Sequence, residues 1–199
     1  MLRLFSAFSS GLRPEMLICD VGALRLRFPR RDDFAAWADI RERSRAFLQP
    51  WEPVWPVDDL TKAAFNRRMD RYEHEMRADS AYPFFLVERA NGTILGGLTL
   101  ANIRRRAAMS ASLGYWMGAP YAGQGLMSEA VPALCRHAFG LLALERIEAA
   151  CLPENAASIR VLEKAGFRRE GFARGYLSIA GARRDHITFA LLKSDITPL

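Results

Sequence analysis

A single α/β domain, built on a mixed and mostly antiparallel sheet of seven strands with about four helices on its faces, is the fold class the sequence predicts. Three observations predict it. Strand-like and helix-like segments follow one another in the order β–α–α–β–β–β–α–β–α–β–β, an order that packs helices against a sheet. The chain has 199 residues, 50% of them hydrophobic, enough for one well-buried core, and no repeat, low-complexity stretch or linker divides it. A glycine-bearing loop, YAGQGLM at 121–127, opens a run with helical apolar spacing. The domain is expected over residues 21–195, behind a flexible lead-in at 1–20 whose basic, serine-containing start faintly resembles a transit peptide. Met16 is an alternative initiator.

The elements follow in order. ALRLRFP alternates as a first strand and stops at Pro29. Residues 30–48 place Phe34, Trp37, Ile40 and Phe47 at roughly helical intervals, with Asp32 or Asp33 as cap. QPWEPVWP, with three prolines, reads as an extended loop carrying Trp51 and Trp55. A charged, surface-lying helix is expected from about Leu60 to Arg77. PFFLVER and TILGGLTLANI form a hairpin about the turn ANG, and SASLGYWMG continues the meander into the glycine loop. Leu126, Ala130, Leu134 and Ala138 then mark the loop helix. ERIEAACL is a strand, and NAASIRVLEKAGF a short helix closed by Gly166. Two final strands meet near Ala180 and Gly181.

Composition excludes several function classes. No apolar run approaches the roughly 18 residues that span a membrane. The three cysteines and three histidines form no disulfide or metal-ligand spacing, so the chain is expected to work in a reducing cytoplasm without a metal. A net charge of +6 suits acidic partners without choosing among them. Arg104, Arg105 and Arg106 could meet a phosphate, RNA or a ribosomal surface, but no aromatic residues are interleaved with them as a nucleic-acid reader requires.

The glycine loop is the chemical focus. Gly123 and Gly125 can take positive φ, and a loop feeding a helix N-terminus offers unpaired N–H groups and the positive end of a dipole. That arrangement suits an anion such as a diphosphate, though a plain turn would use the same glycines.

The strand LGYWMG, the loop YAGQGLM with helix SEAVPALCRHAF, and NAASIRVLEKAGF some thirty residues later together resemble the GCN5-related N-acetyltransferase (GNAT) superfamily. The likeness covers about residues 22–193. FLQPWEPV (47–54), LGYW, GQGLMSEA and GYLSIAGARRDH (175–186) resemble its RimJ-type ribosomal-protein-alanine branch in particular. The resemblance implies acetyl-CoA as donor and an acceptor α-amine at a protein N-terminus, that of an alanine-starting ribosomal protein. It implies cofactor contacts from the strand Tyr115, Trp116, Met117 and Gly118, and from the loop Tyr121, Ala122, Gly123, Gln124, Gly125, Leu126, Met127 and Ser128, with the loop amides on the pyrophosphate. Asn155 and Ser158 would flank the pantetheine arm.

Two departures matter. Pro120 stands where the superfamily often has Gln or Arg, and Leu162 where many members carry a tyrosine general acid. Ser158, three residues after Asn155, is the expected substitute as donor to the leaving thiolate, and helix capping is its structural alternative. A backbone N–H of Tyr115–Met117 would hold the thioester oxygen. Glu52, between Trp51 and Pro53, is the candidate to attract the amine and relay its proton. Trp51, Tyr176, Asp185 and His186 complete the expected acceptor pocket, Asp185 and His186 having a structural pairing as their alternative. A small-molecule amine is the alternative acceptor, a basic RNA- or ribosome-binding protein without catalysis the distant one. The sequence leaves monomer and homodimer equally open.

Overall fold

The computed structural model describes residues 18–196. Eight strands form one sheet, one more than expected: β1 (Cys19–Val21), β2 (Leu24–Arg27), β3 (Tyr82–Glu88), β4 (Ile94–Arg104), β5 (Ser110–Met117), β6 (Arg146–Cys151), β7 (Arg168–Ile179) and β8 (Ala182–Leu192). Their spatial order is β1-β2-β3-β4-β5-β6-β8-β7, and every neighbouring pair is antiparallel except β5–β6. Five helices, not four, accompany them: α1 (Phe34–Arg43), α2 (Arg45–Leu48), α3 (Lys62–Arg77), α4 (Leu126–Leu141) and α5 (Ala156–Lys164). The additional strand, β1, takes in Cys19 and Asp20, so the domain starts inside the stretch expected to be lead-in; residues 1–17 lie outside the described ones.

At its centre, in β3 and the first half of β4, the sheet is buried on both faces, which is why PFFLV is apolar without interruption. Phe84 and Leu86 of β3 join the larger core with Met127, Ala130, Val131, Leu134 and Ala138 of α4. Phe85 and Val87 turn to the other side, against Trp37 and Ile40 of α1 and Phe65 and Met69 of α3. α3 begins where Thr61 accepts a hydrogen bond from the Ala64 N–H.

The helix expected over 30–48 is broken. A 3-10 turn (Arg31–Asp33) leads into α1, and the Asp33 carboxylate binds Arg27 and the Arg30 N–H instead of capping the helix through its side chain. At the fully buried Ser44 the helical dihedrals stop, and its hydroxyl oxygen accepts the Ala119 N–H at 2.8 Å. The Ser44 hydroxyl thereby ties the break between α1 and α2 to a distant backbone. This break matters because Ala119 lies at the entrance to the glycine loop. Beyond it, Gln49–Trp51 forms another 3-10 turn within the stretch expected to be extended.

Candidate active site

The site is a gap in the sheet. β5 pairs with β6 only from Ser110↔Arg146 to Leu113↔Ala149; after Leu113 it follows β4 alone, with Leu98↔Tyr115, Gly97↔Trp116 and Gly96↔Met117. β6 continues along β8 to Cys151↔Ile187. The two strands therefore part, and the edge of β5 facing the gap carries backbone groups with no strand to pair them. Gly96 and Gly97 are required opposite this edge. A Cβ at Gly96 would lie 2.4 Å from the Trp116 carbonyl oxygen, and one at Gly97 would lie 2.5 Å from the Trp116 indole nitrogen.

The glycine loop lies at the end of β5. Gly118 donates to the Leu95 carbonyl, and a 3-10 turn (Ala119–Tyr121) carries Pro120, whose carbonyl accepts the Gln124 side-chain amide. The proline-led turn thus braces the loop from within. Gly123 (φ +77°) and Gly125 (φ +81°) are left-handed, and a side chain at either would project into open space. Gly125 is the N-cap of α4 and supplies no side-chain cap. Among the described residues the amides of Gly123, Gln124 and Gly125 meet no backbone carbonyl, so together with the first turn of α4 they form a row of free donors. Such a row at a helix N-terminus fits a diphosphate.

Across the gap stands α5. Asn155 is its N-cap and accepts the Ser158 N–H at 3.0 Å, so the capping role belongs to Asn155. Ser158 directs its hydroxyl elsewhere, to the hydroxyl of Tyr115 at 2.7 Å. Burial pushes the Tyr115 hydroxyl well above the usual phenol value, with the Ser158 hydrogen bond as a smaller opposing influence. Leu162 is buried in the core, so the position that holds a tyrosine in many GNAT enzymes has packing as its task here. Cys151 closes the gap at the end of β6, where burial raises its thiol to about 11 and keeps it neutral.

The loop 49–56 and the β7–β8 hairpin form a wall together: the Ala180 N–H donates to the Glu52 carbonyl at 2.9 Å. This one bond joins the two stretches singled out in the sequence. The Glu52 carboxylate is bound on both oxygens, by Arg41 at 2.8 and 2.6 Å and by the Trp55 indole N–H at 2.7 Å. Arg41 is buried, with its guanidinium 4.1 Å from the Trp55 ring and 5.0 Å from that of Trp116. Trp51 and Tyr176 stay exposed. Asp185 accepts the Gly175 N–H where the β7–β8 register shifts, and buried His186 lies edge-on to Tyr176 with Nδ1 3.1 Å from the Arg184 carbonyl oxygen. Both residues thus make contacts between β7 and β8. Two of the three arginines of the basic triplet are committed internally, Arg104 to Glu148 and Ser110, Arg105 to Asp79 and the Leu142 carbonyl.

Residues 23–168 match the family model described as the acetyltransferase (GNAT) domain. The chain belongs to the GNAT acetyltransferase family. Its relatives include the ribosomal protein uS5-alanine N-acetyltransferase of Escherichia coli (strain K12), 34% identical over 168 residues that cover 83% of this chain and 87% of that one. Among solved structures, RimJ of Mycobacterium smegmatis in complex with CoA-disulfide has a TM-score of 0.85 at 33% identity, covering 91% of this chain and 88% of that one. The ribosomal-protein-S5-alanine acetyltransferase of Vibrio fischeri has a TM-score of 0.83 at 30% identity, covering 91% and 99%. For this GNAT acetyltransferase, sequence reasoning missed three contributors: Arg41, Ser44 and the hydroxyl, as opposed to the backbone, of Tyr115. Each acts through a partner in another element, a relation that local spacing does not record.

Proposed function

We propose that the chain transfers the acetyl group of acetyl-CoA to the N-terminal α-amine of a protein, an alanine-starting ribosomal protein being the acceptor its relatives favour. The observation that carries this reading is the row of free amides at Gly123–Gly125 opening α4 beside the parted strands, the arrangement a diphosphate and its attached arm require. The 34% identity to a ribosomal protein uS5-alanine N-acetyltransferase supports the acceptor class.

In this reading the amides from Gly123 to Met127, aided by the α4 dipole, hold the pyrophosphate. Acetyl-CoA supplies an activated acyl group on a thiol leaving group. An unpaired β5 amide at Tyr115–Met117 offers a fixed donor to the thioester oxygen. The Ser158 hydroxyl donates to the departing sulfur. Glu52, bound by Arg41 and Trp55, braces the acceptor wall; with its charge matched by the Arg41 guanidinium, the proton relay expected of it is better left to water. An α-amine needs little help with that proton. With a pKa of about 8, roughly a tenth of it is neutral at pH 7, whereas lysine at about 10.4 is neutral in fewer than one molecule in a thousand.

An acetyl-transfer assay over peptides differing only in the first residue tests the proposal. Peptides beginning with Ala or Ser should be the best acceptors, and kcat/KM should rise with pH through about 8 as the amine loses its proton. A blocked peptide that is acetylated on an internal lysine at a matching rate would overturn the α-amine assignment.

A further inference from the structure

The hydrogen bond between Tyr115 and Ser158 crosses the gap and joins β5 to the first turn of α5. The Tyr115 hydroxyl lies 2.7 Å from Ser158 Oγ and 3.2 Å from the Ser158 carbonyl oxygen. Two proton arrangements satisfy these contacts. Tyr115 can donate to Ser158 Oγ, which leaves the serine hydrogen free. Alternatively Tyr115 donates to the carbonyl, and the serine hydrogen is consumed on the tyrosine oxygen. For an O–H donor 2.7 Å is an ordinary length, and 3.2 Å lies beyond the usual range. The carbonyl also serves the helix, where a residue of the first turn accepts from the N–H four positions on. The first arrangement therefore uses the phenol proton better.

We propose that Tyr115 is a positioning residue for thioester cleavage: its hydroxyl donates to Ser158 Oγ and so aims the serine hydrogen at the leaving sulfur. The inference deepens the role given to Ser158 above and rests on it. During transfer the C–N bond to the acceptor forms, the C–S bond breaks, and its electron pair stays on sulfur. Ser158 shares its proton with that sulfur. The proton shed by the amine passes to water, and water returns one to the thiolate, so neither hydroxyl suffers a net loss. Tyr115 remains a phenol throughout, as burial at the base of the gap demands. A tyrosine in the strand thereby does indirectly, through a serine, what a tyrosine at position 162 does in other members of the superfamily.

Tyr115→Phe, Ser158→Ala and the double variant test this, because phenylalanine fills the same space. Tyr115→Phe should lower kcat about tenfold, the loss of one well-placed hydrogen bond, and leave acetyl-CoA affinity within about twofold by calorimetry. Added to Ser158→Ala, the same change should cost little more, since the two hydroxyls act as a unit. A second readout needs no acceptor: the thiol of bound CoA, followed by its thiolate absorbance, should titrate at higher pH in both single variants than in the wild type. An unchanged thiol titration in Tyr115→Phe, a kcat within twofold, or a loss that adds in full to Ser158→Ala overturns the role of Tyr115. Ser158→Ala with full kcat and an unshifted thiol overturns the role of Ser158 itself. A wild type that turns over none of the peptides defeats the acceptor assignment and leaves the thiol titration to judge Tyr115.

Discussion

Gly125→Val is expected to bind acetyl-CoA at least about tenfold more weakly than the wild type, a cost of about 1.4 kcal/mol or more. The reason lies in the backbone. Gly125 caps α4 at φ +81°, a conformation from which a β-branched residue is excluded by contact with its own peptide groups. Valine would force this residue into another region, and the free amides on either side would turn away from a common centre. The space beyond Gly125 is open, so the penalty arises from the backbone conformation and not from a clash with neighbouring side chains. Gly125→Asn, which tolerates the left-handed region, should retain much more affinity than valine. Equal calorimetric affinities for wild type and valine variant would remove the loop from cofactor binding.

The second large effect is expected at the Arg41–Glu52 pair. Arg41→Met should lower stability by about 3 kcal/mol, near the low end for breaking a buried ion pair because Glu52 keeps some exposure, and Tm should fall by roughly 10 °C. The guanidinium fills the space between Trp55 and Trp116, and its loss unties the loop at 49–56 from α1. Glu52→Gln retains the shape, weakens the tie and should lower kcat/KM by a factor that stays constant as pH rises. A deficit in Glu52→Gln that closes at alkaline pH, with Tm unchanged, would instead show Glu52 handling the proton of the amine. An Arg41→Met protein that melts with the wild type would show that the two tryptophans hold the loop unaided.

The elements with long or repetitive patterns could be read from the sequence. PFFLV, TILGGLTL, the apolar stripe of α4 and the cap of α5 each carry their own signal, and the glycine loop announced its left-handed residues. β1 could not be read in this way, because three residues with an aspartate in the middle have no period. The break at Ser44 was equally hidden: the partner of its hydroxyl is the Ala119 amide, 75 positions away in the chain. The same limit applies to the site. The left-handed Gly123 and Gly125 and the N-cap Asn155 were legible because their geometry is local, whereas Glu52 was given a proton to move because Arg41 could not be seen beside it. Tyr115 was noticed for its backbone alone; the direction of its hydroxyl depends on how far β5 has parted from β6.

That parting also shapes how the chain can assemble. β3, β4 and β5 are joined by short connections, so their pairing closes small loops and is fast. β6, β8 and β7 form a second stretch, itself contiguous in the chain, and the sheet is completed only when the crossover through α4 brings β6 alongside β5 over four residue pairs. The seam between the two stretches thus closes a longer loop than the hairpins on either side of it and is held by only four residue pairs. A ligand seated there, with its phosphates on the loop that begins α4 and its arm between the strands, would act as a clasp: by mass action, saturation at 100 times Kd adds about 2.7 kcal/mol to the folded state. Loading with its acetyl donor and holding its two halves together would then be one event for this enzyme.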